Sequence, residues 1–296
     1  QPHHLTCFKF ARPAYQLSNR TSSGSKSRFT ITLESLAGCH VEMAREYAAE
    51  ADYEEAIGHY ELVLTNYPDT HIASEASDEL AEVYLTWGEA LLDAHQYAQA
   101  IEKLIQVARY TSERELVSRA WNDTAYAYYL WARAAENAHS WAAALPRYRT
   151  LVGSYPNSEW TAEANEAIGR IRAAWASQIA GQIVAACDQA LSLAYEVQAI
   201  WAELDSRATV SCSRGWSAIS GVAVDVPDEF PELQAIHNTY LDGVEAAEDS
   251  RQQWRAECRK PGRWVSQWTI SAGLSAANRG VSLLTSARSR AAAYVQ

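Results

Sequence analysis

From about residue 40 to residue 200 the apolar side chains return at steps of three and four. Ala73, Ala76, Leu80, Val83, Trp87 and Leu91 make one such row, and Tyr97, Ala100, Ile101, Leu104 and Val107 make the next. Side chains spaced in this way share one face of a helix with 3.6 residues per turn, so each row predicts an amphipathic helix. Asp93 to Gln96 predicts the turn between these two. A second set follows, Val117, Ala120, Thr124, Tyr128, Trp131 and Ala135, then Trp141, Ala144, Leu145, Tyr148 and Leu151. Asp69-Thr70 supplies capping residues at a helix start, and Pro68 and Pro156 end the helices before them because proline cannot continue the hydrogen-bond ladder.

The rows repeat with a period of 44 residues. Met43, Trp87, Trp131 and Trp175 keep that step, as do Ala44, Gly88, Ala132 and Ala176. Tyr53, Tyr97 and Trp141 keep it too, and so do Ala56, Ala100 and Ala144, then Tyr60, Leu104 and Tyr148. A fixed period of this length marks stacked helix pairs. The small residue beside each large ring has a reason: paired helices approach to about 8–10 Å only where one side chain is short. By the same periodicity Trp87, Trp131 and Trp175 are expected in the core.

Met43-Ala44, Tyr47, Asp52-Tyr53, Ala56, Tyr60 and Pro68 resemble the large-small, aromatic, small, aromatic, proline pattern of the tetratricopeptide repeat (TPR) family. Gly88, Tyr97, Ala100 and Leu104 match in the second unit, where Ser112 replaces the proline, and Ala132, Trp141, Ala144, Tyr148 and Pro156 match in the third. The fourth keeps Trp175-Ala176 and loses the second-helix signature. The period is longer than the family's usual ~34 residues, which predicts a longer first helix in each pair. The Tyr-Pro-Asp-Thr and Tyr-Pro-Asn-Ser junctions look like those of bacterial cell-envelope members that act as assembly adaptors.

Outside the repeat the pattern changes. Residues 1–38 read as an extended arm with a Ser-rich linker, in which Arg28 to Leu33 alternates like one short strand. A strand cannot stand alone, so it is expected to dock elsewhere. After a loop containing Gly215, Gly221 and Pro227, Leu233 to Cys258 and Ile270 to Val295 each carry one helical face, a hairpin broken at Lys260-Pro261-Gly262. The expected fold is therefore all-α: a TPR-like α-solenoid of about four helix pairs (39–206), an N-terminal extended arm (1–38), and a C-terminal loop and helical hairpin (207–296).

Charge sharpens this picture. The net charge is −11, yet residues 1–33 carry +5 and residues 258–296 carry +6 with no acid in either, leaving −22 between them. An acidic body does not suit nucleic-acid backbone, so no nucleic-acid partner is expected. No run of apolar residues is long enough to span a membrane. The five cysteines lack CxxC spacing, and the chain starts at Gln1. Either a secretory leader has been removed or the sequence begins inside its precursor, and export to the outside of the cell or its envelope, bacterial by the resemblance, is expected. Cys7–Cys39 and Cys212–Cys258 are the expected disulfides, with Cys187 buried as a small hydrophobe. Asn19 is a possible glycan acceptor, and Asn122-Asp123-Thr124 fits the same pattern.

No phosphate-binding glycine loop, nucleophile elbow or HExxH motif occurs, so neither cofactor nor catalysis is expected. His95 and His139 fall at equivalent turns, where Ala51 stands in the first repeat, and histidine tolerates left-handed backbone there. His3-His4 is a weak metal grip. Tyr126, Tyr129, Trp160 and Trp201 fall off the repeat register and are candidate surface rings for a carbohydrate. Glu46, Glu50, Glu54 and Glu55 form a candidate docking surface for a basic segment. The arm, through Arg20, Lys26, Arg28, Phe29, Ile31 and Leu33, is that segment's expected source in a neighbouring copy, giving a head-to-tail ring or filament. A monomeric envelope adaptor is the first alternative; an enzyme or carbohydrate-binding protein with its site in residues 207–296 is the second.

Overall fold

A computed structural model describes residues 33–260 and 264–295, and every regular element among them is helical. The chain divides into two compact units, Gln1–Ile168 and Gly169–Gln296.

Unit 1 holds α1 (Leu33–Ala49), α2 (Tyr53–Asn66), α3 (His71–Asp93), α4 (Tyr97–Leu104), α5 (Val107–Tyr110), α6 (Arg114–Asn137), α7 (Trp141–Ser154) and the first turns of α8 (Thr161–Asp205). α1 packs on α2, α3 on α4, and α6 on α7, while α2 also packs on α3 and α4 on α6. Each second helix thus joins its own partner to the next pair, which is the solenoid-like stacking expected of a repeat. Three pairs are complete in unit 1, and α8 opens a fourth first helix.

The repeat register is visible in the packing. Ala44 and Ala132 are sealed in the core, and a Cβ added to Gly88 would sit 2.6 Å from the Leu104 side chain. Ala51, His95 and His139 all adopt left-handed backbone, with φ of 61°, 59° and 53°. Behind each, the amide of the following residue bonds a carbonyl five residues back: Asp52 to Tyr47, Gln96 to Leu91 and Ser140 to Ala135. These bonds cap the orphan carbonyls of each first helix. A further aromatic pair recurs, with His40 on Tyr67, Tyr84 on Tyr110 and Tyr128 on Tyr155.

Three expectations are corrected. Leu33 begins α1, so residues 34–38 belong to a helix and not to the arm. Burial of Ala37, Val41 and Ala44 at helical spacing outweighs a short alternation. The rest of that strand and of the arm (Arg20, Lys26, Arg28, Phe29 and Ile31), with Cys7 and Asn19, lies outside the described residues. The division falls inside α8 and not after residue 206, because α8 beyond Gly169 shares its core with the C-terminal hairpin. The second helix of the second pair is broken after Leu104, where Gln106 bonds Lys103 and Arg109 bonds Gln106 in tight three-residue steps.

Unit 2 packs the remainder of α8 with α9 (Pro231–Cys258) and α10 (Gln267–Ala292). The hairpin is antiparallel and close: a Cβ on Gly243 would meet Leu284 at 2.9 Å, and one on Gly280 would meet Ala247 at 2.8 Å. The loop before α9 is pinned along its length. The Val222 amide donates to the Tyr240 hydroxyl (2.7 Å) and the Ile219 amide to Glu248 (2.9 Å). The Trp254 indole donates to the Arg214 carbonyl (2.9 Å), and Cys212 is bonded to Cys258. Hydrogen bonds from Arg251, the Ile219 amide and Gln252 outweigh burial and hold the Glu248 carboxyl at about 2. Cys39 is also disulfide-bonded, while Cys187 is a buried free thiol, pushed up to about 11 by burial and then by Asp188.

Candidate functional site: the polar face of the first helices

α3 carries Glu75, Glu79, Glu82, Thr86, Glu89 and Asp93 at alternating steps of four and three. That spacing aligns them on one face, opposite the buried Ala76, Leu80, Val83 and Leu91. The row 44 residues later is Arg119, Asp123, Tyr126, Leu130, Arg133 and Asn137 on α6, and α1 contributes Glu42 and Arg45. The stacking therefore sets three polar rows on neighbouring first helices, and their charges meet.

Between α1 and α3, the Arg45 guanidinium donates to both oxygens of Glu79, with its Nε 2.8 Å from Oε2, and reaches Glu42 at 2.6 Å. The Tyr60 hydroxyl donates to the same Glu79 at 2.8 Å. Burial pushes Glu79 up, but these bonds outweigh it and hold the carboxyl below its ordinary value. Between α3 and α6, Arg119 pairs with Glu89 at 2.6 Å. Asp123 sits beside Glu89, and burial, then Glu89, pushes its carboxyl up to about 6 against the pull of Arg119. One Asp123 oxygen, Oδ2, is buried without a hydrogen bond. Between α6 and the start of α8, the Tyr129 hydroxyl donates to Glu163 at 2.5 Å.

The edge of this face is aromatic. Trp160 stacks on both Tyr126 and Tyr129, with ring centroids 4.8 Å apart in each case. Tyr126 and Trp160 are half-buried, whereas Tyr129 is sealed in the core. Half-exposed rings beside Asp123 and Glu163 make a mixed patch able to hold a side chain that is apolar along its stem and cationic at its tip.

The other singled-out residues fall elsewhere. Glu46 lies in the last turn of α1 and Glu50 just after its end, and Glu54 and Glu55 open α2 behind the Asp52 cap, so the four surround one turn. Leu33 is exposed at the start of α1. Trp201 is fully buried in unit 2 and is no surface ring. Trp87 and Trp131 are only half-buried, and each carries a cation on its open face: Lys103 at 4.2 Å and Arg147 at 3.9 Å, themselves 44 residues apart. Trp175 meets Phe230 edge-on in unit 2. Asn122 lies within α6, and Thr124 is buried with its hydroxyl on the Ala120 carbonyl. His3 and His4 lie outside the described residues.

The polar rows stand in the sequence at steps of four and three, but their cross-helix pairing does not. A second feature also escaped it: His40 and His59 meet with Nδ1 atoms 3.2 Å apart, and burial, then His59, lowers His40. Among the described residues no three His, Cys, Asp or Glu side chains gather as metal ligands, and no helix is long and apolar enough to cross a membrane. No protein-family profile matches the chain, and no curated protein matches it.

Proposed function

We propose that the chain is a non-catalytic interaction and assembly protein of TPR-like build, which binds basic peptide segments along the polar face of its first helices. The observation that carries this reading is the α3 row, in which five of six positions are acidic and flanked by half-exposed rings of the next pair. Stacked helix pairs suit such use because they present a long, rigid surface to an extended partner. The partner we favour is a second copy, since residues 1–33 carry +5 with no acid. An arm on one part of a chain and its receptor on another make a head-to-tail contact, which closes into a ring or grows as a filament. The Cys212–Cys258 disulfide supports an extracytoplasmic setting, where such bonds persist; a bacterial envelope is the compartment proposed.

The test is light scattering at low salt on the full chain, on a chain lacking residues 1–32, and on Glu75→Lys/Glu82→Lys. Those two glutamates are exposed on α3, and exposed positions rarely cost much stability. Large species that collapse in both variants and shrink as salt rises support the reading. A full chain that is monomeric at high concentration and low salt overturns the self-assembly, leaving the monomeric adaptor. A synthetic peptide of residues 18–33 that binds the full chain and the charge-reversed variant equally overturns the α3 surface.

A further inference from the structure

We propose that the end of unit 2 where α8 and α9 finish and α10 begins docks peripherally on an anionic lipid surface, with Trp264 and Trp268 entering the headgroup layer. These two rings are 97% and 81% exposed, although tryptophan normally buries most of its large apolar area. They are held on a firm base. Ser266 caps α10 by accepting the Thr269 amide at 3.1 Å, and the Gln267 amide ties this turn to Asp205 at the end of α8 (2.6 Å). The Cys212–Cys258 bond fixes the neighbouring loop to the end of α9.

Charge at this end favours an anionic partner. Arg214 is matched by Glu203 at 2.8 Å and Lys260 by Glu257 at 2.5 Å. What remains exposed is Arg207 and Arg259 against Asp205, while Arg255 lies half-buried over the Trp216 ring at 4.4 Å. No acid occurs in the sequence from Cys258 onward. Cations beside tryptophan match the two layers of a membrane surface: phosphates attract the cations, and the amphipathic rings settle at headgroup depth.

The setting of the rings selects lipid over a protein groove. Ser266, Gln267 and Ser271 around them are exposed and polar. A protein hot spot seats its anchor in a well-packed, desolvated pocket, whereas the headgroup layer accepts separate, outstanding rings among polar neighbours. Peripheral attachment also agrees with the lack of a helix, among the described residues, that could cross a bilayer.

Vesicle flotation tests this on the full chain, with phosphatidylcholine vesicles and with vesicles containing phosphatidylglycerol as well. Flotation with the anionic vesicles only, weakened by salt, is expected. Trp264→Ser/Trp268→Ser should lower the partition coefficient by at least about tenfold, since each ring withdraws apolar area from water. Far-UV circular dichroism and the intact Cys212–Cys258 bond check that the variant is folded. Lipids brominated on the acyl chain near the headgroup supply a second readout, quenching fluorescence in the native chain and much less in the variant. Absence of flotation, equal flotation with neutral vesicles, or unchanged binding by the folded variant each overturns the proposal, as does loss of flotation without any quenching in the native chain.

Discussion

Gly273 lies on α10 where Trp201 of α8 crosses it, and Gly273→Ala tests whether that contact sets the packing of unit 2. An added Cβ would land 2.3–2.6 Å from three atoms of the Trp201 ring, about 1 Å or more inside the ~3.5–4.0 Å at which carbon atoms rest. The ring has little room to move. It is fully buried, its indole N–H donates to the Ser250 carbonyl at 3.4 Å, and it meets Trp254 edge-on. The helix is anchored as well, since the Gly273 carbonyl accepts the Ser250 hydroxyl at 2.8 Å. Overpacking of this kind costs about 1–3 kcal/mol, and a clash with a pinned indole belongs at the upper end. Alanine's better helix propensity returns ~1 kcal/mol, so the net loss expected is about 2 kcal/mol. Gly169→Ala and Gly181→Ala are the controls, because an added Cβ there meets nothing within 4 Å; both should gain up to ~1 kcal/mol. Urea midpoints read by circular dichroism give the order. Hydrogen exchange of α8 and α10 amides locates the loss in unit 2, which matters because a chain with two units need not unfold in one step. A Gly273→Ala variant as stable as the two controls would refute the packing argument.

Three further outcomes follow from the polar and covalent features. Asp123 is held at about 6, against ~3.9 in an unfolded chain; its contribution is most favourable below ~4 and is lost as pH rises through about 6. Asp123→Asn should flatten that slope and raise stability at pH 7 by about 1 kcal/mol, a figure already reduced because half the group faces water, and urea midpoints from pH 4 to pH 8 read it. His40 is lowered by burial and then by His59, so its contribution is complete above about 6.5 and declines as pH falls below it. A His40→Phe variant whose melting temperature drops as steeply as the native chain's between pH 7 and pH 5 would show that the pair is not responsible. The Cys212–Cys258 bond closes a separation of 46 residues, for which the chain-entropy relation gives about 4 kcal/mol; Cys212→Ser/Cys258→Ser should lower the unit 2 transition accordingly, measured by calorimetry without reductant.

What was legible in the sequence is what repeats. The helix pairs, the left-handed turns at Ala51, His95 and His139, and the small residues at Ala44, Gly88 and Ala132 recur at one period, and each has a local cause in backbone sterics or close approach. The Cys212–Cys258 pairing also agrees with the expectation from the sequence, as does the buried thiol of Cys187. Features without a period were hidden. Arg45 finds Glu79 across 34 residues, and Asp123 finds Glu89 across the same distance, contacts that only the stacking of first helices creates. Trp87 and Trp131 read as core because the pattern cannot tell a neighbour that seals a ring from a cation laid over it. Residues 206–230 gave no periodic signal at all, since that loop is fixed by individual amides reaching Glu196, Tyr240 and Glu248.

The cation that rests on Trp87 comes from α4, and the one that rests on Trp131 comes from the same place on α7. Both helices follow a turn of the same geometry, at His95 and His139. These helix pairs are consequently interchangeable parts with matching ends. Excising residues 95–138 would join α3 directly to α7, keep the left-handed residue at the junction as His139, and set Arg147 over Trp87 in place of Lys103. Duplicating the same segment would lengthen the stack by one pair and add one more polar row to its face. The length of that face is thus quantised in steps of one helix pair, and a library of shortened and lengthened chains would sample it one rung at a time.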